Sequence, residues 1–515
     1  MLTGDFLRNS ARRHPDRIAV TQDGRQLTYS QLDSAADRFA QALVVRGLGR
    51  GTRLAIVAPN IPEYAIVYFG AARAGCVSAH LSVRATTNDI AAMLARIGAR
   101  MVLFDSSCSS AVVPALARNG AELAVLLDES PQPDGHARLP TLKELLDAAP
   151  AAPVAVDLAD DDPLAITFTG GTTGTPKAVV VSHRARHTSA LTAATRFSWR
   201  SDDIVGIATP LFHAAGLFVC FAPAILLGAT AVLLRTWNAG RFIELVEREQ
   251  ITAALLVPTQ LNDLISHPEF SERRLSSLRE LSYAGSPMSP NLFARVRAAL
   301  PQVRFTENYG QSETGPITIR RPDDPVASIA TVGRRAPDVA VEIFREDGRI
   351  AAAGETGEIC TRGAHVFSGY FGEAEVTAQC FREDGWLRTG DVGYFDDAGF
   401  LTLVDRIKDV IIQSGENIYP AEIENALYRH PAVAECVAFG IPDERSGEAP
   451  AAHVVLKSTA TVTADALIDF CATQIARHKR PRLVKFVPAL PRTPIGKIQR
   501  NVARADYWQG RTRPI

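Results

Sequence analysis

Apolar and polar positions repeat along this chain on two different periods. Leu32, Ala36, Phe39 and Leu43 fall on one face of a repeat of about 3.6 residues, with Ser30 as cap and Gly47 as stop. This predicts a helix over 30–47. Leu54–Val57, Val102–Phe104 and Leu123–Leu127 are short unbroken apolar runs of strand length. Pro62 opens a second helix that runs through Ala74 and ends at Gly75. Strands alternating with amphipathic helices predict a layered α/β core.

Further on, Leu164–Phe168 and Val179–Val181 predict two buried strands flanking a loop of turn residues. The apolar stretch Leu211–Leu234 is broken by His213, Pro223 and glycines, so two strands or a core helix explain it better than a membrane span. From Glu355 the pattern changes to short strands and turns (ETGEIC, GWLRTGD, DDAGFLTLVDR), a β-rich portion. Asp405–Asp409 is a charged interruption between Leu401–Val404 and Val410–Ile412. A solvated charged pair absorbs backbone rotation that a packed core cannot, which makes it the candidate hinge. Beyond it, helices over 421–428 and 463–476 and strands over 433–439 and 452–456 predict a small α+β domain. The expected fold class is α/β: a large domain, 1–404, of layered α/β subdomains with a β-rich portion, then a hinge, 405–409, and a small mobile α+β domain, 410–515.

Candidate chemistry concentrates in Thr167–His183, TFTGGTTGTPKAVVVSH. Gly170, Gly171 and Gly174 let backbone N–H groups approach a ligand, Thr169, Thr172, Thr173 and Thr175 add hydroxyls, and Lys177 adds a positive charge. Those are the parts of a polyphosphate cradle. A turn-rich surface hairpin has the same composition. The loop is not a Walker A motif, because Pro176 precedes the lysine and no Ser or Thr follows it.

Composition narrows the classes. At 515 residues, 46% hydrophobic and 22% charged, the chain is a multidomain globular protein. A formal charge of −1 gives no electrostatic reason to expect nucleic acid or an anionic membrane as partner. Seven scattered cysteines without CxxC spacing read as core residues of a reducing compartment. The N-terminus lacks an apolar run of signal-peptide length, and a cytoplasmic location is expected. Gly310–Gly315 has one residue too many for a serine-hydrolase elbow. His183 and His187 lack the glutamate of a zinc HExxH pair.

Five stretches taken in order carry a resemblance: the Gly/Thr loop, Tyr309-Gly-Gln-Ser-Glu313, Arg388-Thr-Gly-Asp391, Asp405-Arg-Ile-Lys408 and Pro491-Arg-Thr-Pro-Ile-Gly-Lys497. Together they resemble the adenylate-forming superfamily of acyl-CoA synthetases, luciferases and peptide-synthetase adenylation domains, and most closely a fatty acyl- or aryl-CoA synthetase. The resemblance spans nearly the whole chain. It implies an enzyme in which a carboxylate attacks the α-phosphorus of ATP, giving acyl-AMP and pyrophosphate, before coenzyme A takes the acyl group as a thioester. Charge builds on the phosphates, so Mg²⁺, cations and hydrogen-bond donors are required.

The resemblance implies a role for each site residue. Thr169–Lys177 wraps the β- and γ-phosphates, with Thr172 counted as catalytic. Glu313 holds the Mg²⁺ and Ser312 reaches the α-phosphate. Tyr309, between Asn308 and Gly310, faces the adenine, with Gly285 and Ser286 opposite. Asp391 takes the ribose hydroxyls, assisted by Arg406. Lys497 bridges carboxylate and α-phosphate. Asp405 is the hinge, and Gly415 lines the CoA tunnel. His213, Ala214, Gly216, Val257, Thr259 and Ala284 line an apolar acyl pocket. Two positions depart from the commonest family pattern: Gly170 stands where a serine is usual, and Ala178 where a glycine is usual.

Ala214–Ala224 contains no acidic residue to hold a substrate amine, which disfavours an amino acid. The compact stretch Glu355–Asp405 favours free CoA over a carrier protein. The expected acid is monocarboxylic, aliphatic or aryl, with fatty acids ahead, and Arg235 is read as a solvated surface arginine. The alternatives are an acyl-AMP ligase loading a carrier protein and a non-catalytic nucleotide- or acyl-binding homologue. The expected partners are the small acid and CoA, with no nucleic acid and no integral membrane segment, in a monomer or homodimer.

Overall fold

The computed structural model describes residues 1–118, 120–130, 138–169, 176–286, 288–414, 416–458, 460–492 and 498–509. It is mixed α/β, as the pattern predicts, and divides into two compact units. One is Met1–Ala340 with Thr361–Leu387, the other Val341–Cys360 with Arg388–Ile515.

Two sheets organise the first unit. In one, the parallel strands Val77–Leu81, Arg53–Val57, Met101–Phe104 and Leu123–Leu126 continue through Pro163–Thr169, then antiparallel through Lys177–Ser182 to Gly369–Tyr370. Alanine, valine, leucine and phenylalanine fill its parallel strands because helices cover both faces of such a sheet. The other sheet has a parallel centre of Arg304–Gln311, Glu280–Tyr283, Ala253–Leu256, Ile204–Ile207, Thr230–Leu233 and Ile18–Gln22. Antiparallel strands Gly315–Arg320 and Arg25–Thr28 lie towards its edges. Leu256, Tyr283 and Glu307 are in register, so Val257, Ala284 and Asn308 follow side by side along one carboxyl edge, the third strand running on to Gln311. Such an edge is where open α/β sheets place ligands.

The predicted helix over 30–47 is Tyr29–Val45, and its cap is Thr28 rather than Ser30. The Thr28 hydroxyl accepts from the Gln31 N–H while the Gln31 side chain accepts from the Thr28 N–H, a reciprocal box that Ser30 cannot make. The apolar stretch Leu211–Leu234 resolves into a π-helical turn, Ala215–Phe221, an α-helix, Ala222–Leu227, and one strand. The segment leading into that turn is fastened by Asn60, 1% exposed. Its amide donates to the carbonyls of Ile207, Thr209 and Leu234 and accepts from the Leu211 N–H at 2.8 Å.

The second unit pairs a four-stranded sheet, Ala340–Phe344, Gly357–Arg362, Leu387–Phe395 and Leu401–Arg406, with a sheet built on the long hairpin Val433–Asp443 and Gly447–Leu456. Helices Pro420–Tyr428 and Ala464–Gln474 pack there around Ile423, Leu427, Leu467 and Cys471. Asp405 and Asp409 correct the expectation of a solvated charged pair: their side chains are 4% and 10% exposed. Arg500 pairs with Asp409 at 3.0 Å, Glu424 at 2.8 Å and Asp405 at 3.4 Å, and the Ala421 N–H donates to Asp405. Charge neutralisation from a distant helix lets the two carboxylates leave water.

Among the described residues no helix is long and apolar enough to cross a membrane, and no disulfide joins the cysteines. Replacing Asn60 with alanine strands three buried carbonyls and one N–H. Asn60→Ala should lower stability by about 3 kcal/mol, read as a reduced urea midpoint. An unchanged midpoint would mean that the Thr209–Leu211 segment is held by other contacts.

Candidate active site

Five residues of one strap join the two sheets of the first unit. The Phe367 N–H donates to the Glu313 carbonyl at 2.8 Å, the Ser368 N–H to Val180 and the Phe371 N–H to Ala178. Gly369 and Tyr370 pair antiparallel with Val180 and Val179. This brings Tyr370 between two residues 136 positions apart in the chain, Lys177 and Glu313 (313 − 177). The Tyr370 hydroxyl donates to Glu313 Oε1 at 2.9 Å, and Lys177 Nζ lies 4.5 Å from the centre of its ring. Burial first, then the Glu313 charge, pushes the phenol up, so Tyr370 remains a donor.

Of the phosphate cradle, Thr169 and Lys177 face each other across the hairpin of Pro163–Thr169 and Lys177–Ser182. Gly170, Gly171, Thr172, Thr173 and Gly174 lie outside the described residues, as do Gly415 and Lys497.

Glu313 and Ser312 are half-buried in the tight turn between Arg304–Gln311 and Gly315–Arg320. The Gln311 N–H donates to the Thr314 hydroxyl, which donates on to the Gly315 carbonyl. A Cβ on Gly310 would sit 1.8 Å from the Gly315 oxygen, so this turn closes only on glycine. Asn308 is 7% exposed, and its amide donates to the Tyr283 carbonyl. Tyr309 is 9% exposed. Behind them, Glu307 is buried against Arg320 and the Tyr283 hydroxyl, which donates to it at 2.9 Å. Burial pushes the Glu307 carboxyl up, against the pull of Arg320.

The expected acyl-pocket residues flank the same carboxyl edge. Val257 and Ala284 are buried, Thr259 is half-buried at the second position of the helix Pro258–Ser266, and Gly285 takes φ +89 before half-buried Ser286. His213 is half-buried, and its Nδ1 accepts from the Ala215 N–H at 3.2 Å, which leaves the ring proton on Nε2. Ala214 is buried. The glycine at 216 is required by close backbone approach, since a Cβ would fall 2.2 Å from the Pro210 oxygen. Arg235 pairs with Asp105 at 2.6 Å.

In the second unit, Asp391 and Arg406 face each other in register, with Arg406 Nε 3.1 Å from Asp391 Oδ1. The Asp391 N–H donates to Thr389 Oγ1. A buried aspartate beside a partly exposed arginine is a fixed acceptor for paired hydroxyls.

Sequence reasoning missed Tyr370 and Arg186. Tyr370 stands in FSGYFG, which carries no titratable partner nearby to mark it. Arg186 follows the histidine of the Gly/Thr motif on the helix His183–Arg196. The surprise there is burial, and local pattern does not reveal that. Among the described residues no three His, Cys, Asp or Glu side chains form a metal cage. Glu313 offers a single hard carboxylate. That suits Mg²⁺, which keeps waters and takes its other oxygens from substrate phosphates.

The chain matches the model of the AMP-binding enzyme family over residues 7–371 and that of the AMP-binding enzyme C-terminal domain over 422–497. It is 32% identical to the long-chain-fatty-acid–CoA ligase FadD13 of Mycobacterium tuberculosis, covering 94% of this chain and 93% of that one. It is 34% identical to a feruloyl-CoA synthase of an Amycolatopsis species, covering 96% and 97%. Among solved structures it is similar to ATP-bound MatB from Rhodopseudomonas palustris, with a TM-score of 0.89 and 29% identity over 98% of this chain and 99% of that one.

The Glu307–Arg320 pair behind the Tyr309 strand is open to test. Arg320→Met should cost about 3–5 kcal/mol at neutral pH by leaving a buried carboxylate alone. With its folded pKa already raised from 4.5, Glu307 then contributes stability that is complete below that value and lost as pH rises through the folded one. The variant's urea midpoint should therefore fall more steeply than that of the unmodified protein as pH rises above about 4.5. Parallel profiles would show that Glu307 does not depend on Arg320.

Proposed function

This chain belongs to the AMP-binding enzyme family, and on that footing we propose how its residues divide the reaction. It is an AMP-forming acyl-CoA synthetase using ATP and coenzyme A. A carboxylate oxygen of the acid bonds to the α-phosphorus as pyrophosphate leaves. The CoA sulfur then bonds to the acyl carbon as AMP leaves.

The observation that carries the assignment is the convergence of Lys177, which ends the Gly/Thr stretch of the sequence, with Tyr370 and Glu313. Lys177 with Thr169, Gly170, Gly171, Thr172, Thr173 and Gly174 holds the β- and γ-phosphates, and Ser312 donates to the α-phosphate. Tyr370 orients Glu313 by occupying one carboxylate oxygen. Mg²⁺, when bound, neutralises charge on the phosphates, and Glu313 is the residue that holds it. Asn308, Tyr309 and Gly310 frame the adenine on one side, Gly285 and Ser286 on the other. Asp391, aligned by Arg406, accepts from the ribose hydroxyls. Lys497 supplies the cation where carboxylate and α-phosphate meet, donating to oxygens that gain charge in the transition state.

The acid has an aliphatic or aryl body and lies against His213, Ala214, Gly216, Val257, Thr259 and Ala284. Asp405 anchors the hinge 405–409 between 1–404 and 410–515, where the lysine withdraws so that the thiol enters past Gly415. The scattered cysteines without CxxC spacing suit a reducing compartment, and the cytoplasm is the proposed location.

ATP–pyrophosphate exchange over a panel of organic acids, followed by CoA-dependent AMP release, tests the reading. Exchange with no acid would overturn it. Lys497→Ala should lower acyl-AMP formation on the order of 10²–10³. Thioester formation from supplied acyl-AMP should change only about threefold, because no transition-state contact to Lys497 is made in that half. An equal loss in both halves would remove Lys497 from adenylation. Glu313→Gln should raise the Mg²⁺ concentration needed for half-maximal exchange about tenfold, and an unchanged requirement would free Glu313 of the metal.

A further inference from the structure

Arg186 is 1% exposed. It lies in the helix His183–Arg196, which Ser182 caps by accepting from the Ala185 N–H. Its guanidinium carbon lies 5.1 Å from the centre of the Phe218 ring, in the π-helical turn that begins just after Ala214. Nη2 makes one long bond, 3.5 Å, to the His365 carbonyl. Nε and Nη1 have no hydrogen-bond partner among the described residues, and neither does the hydroxyl of Tyr68, which is fully buried and near enough to feel the Arg186 charge.

The guanidinium also lies near the turn that carries Glu313. A Cβ on Gly315, two residues past Glu313, would fall 2.3 Å from Ser189 Oγ and 3.7 Å from Arg186 Nη1. The Glu313 charge is felt at Arg186. Burial pulls Arg186 down to about 10, which leaves it a cation at neutral pH.

Other arginines of this chain with largely shielded side chains have carboxylates. Arg73 has Asp33 and Asp37, Arg320 has Glu307, and Arg500 has three. No ion pair joins Arg186 to a carboxylate among the described residues. A buried cation with open N–H groups is costly unless something completes it, and the complement of two guanidinium donors and a phenol is an anion with several acceptor oxygens. An alkyl tail in that place would leave all three donors unsatisfied.

We propose that Arg186, with Tyr68, takes the second, non-reacting carboxylate of a short dicarboxylic acid, making this enzyme a dicarboxylate–CoA ligase. The inference rests on the acid-activating reading above and replaces the monocarboxylic expectation. Short follows from position: the cation lies between Phe218 and Gly315, close to Glu313, so little chain separates the two carboxylates. Arg235, by contrast, is already bound to Asp105, and its side chain is 41% exposed.

The test compares succinate, glutarate and adipate with butyrate, valerate and hexanoate in CoA-dependent AMP release by the full chain. The unmodified enzyme should favour one of the diacids over its monoacid counterpart by at least about tenfold in kcat/KM. Arg186→Met should cut the diacid about a hundredfold, mainly through KM, and leave the monoacid within about threefold. Arg186→Lys should recover part of the loss. A thermal midpoint of the unmodified protein that rises with the preferred diacid, but not with its monoacid, supports the assignment without any variant. Preference for the monoacids, or an equal loss for both classes in Arg186→Met, would overturn it and make Arg186 a structural or nucleotide-side group. If no acid supports ATP–pyrophosphate exchange, the acid-activating reading itself fails. If monoacids react and diacids do not, only the role of Arg186 fails.

Discussion

The site of the first unit depends on one set of backbone hydrogen bonds. The strap Phe367–Phe371 donates to Ala178 and Val180 in one sheet and to the Glu313 carbonyl at a turn of the other. Without it, a lysine at the end of one hairpin and a glutamate at the tip of another have no common reference. With it, a single phenol stands between them, touching one through its ring and the other through its hydroxyl. Placement by main-chain bonds is rigid in a way that long charged side chains are not, because ordering a lysine or glutamate costs rotamer entropy that an already fixed strand does not incur.

The buried charges fall into two kinds. Glu307 with Arg320 is a closed pair, and Arg500 and Arg504 answer the carboxylates of Asp405, Asp409 and Glu424 in a closed network. They hold the strand that leads to Asn308 and Tyr309, and the turn at Asp405–Asp409. Closed sets contribute definition of position more than stability, since the desolvation of each ion offsets most of the attraction. Arg186 is the open set, positive, buried and short of acceptors. In a protein whose substrates are all anions, an open cation is where a ligand completes what the fold leaves incomplete.

Glycines mark where backbone meets backbone. Gly310 permits the turn that presents Glu313, and Gly216 lets the π-helical turn press on the Pro210 carbonyl below His213. Each loses its place if a Cβ is added, because the nearest atoms are main-chain oxygens that cannot swing aside.

By itself the sequence determined the alternation of strands and helices, the α/β class, the order of the five motifs and the chemistry they imply. These are local properties: periodicity, turn residues, and short runs whose meaning does not depend on distant neighbours. It mislocated the helix cap at Ser30, because choosing Thr28 requires knowing which residue closes the reciprocal bonds with Gln31. It read Asp405 and Asp409 as solvated, because Arg500 lies about ninety residues away and a charged pair looks exposed until its counterion is known. Tertiary structure alone decided that Tyr370 meets Glu313 and that Arg186 is buried with no carboxylate partner among the described residues. Burial and pairing are properties of the assembled fold: one helix position can face water or core, and at Arg186 the packing of neighbours such as Phe218 and Gly315 selects the core.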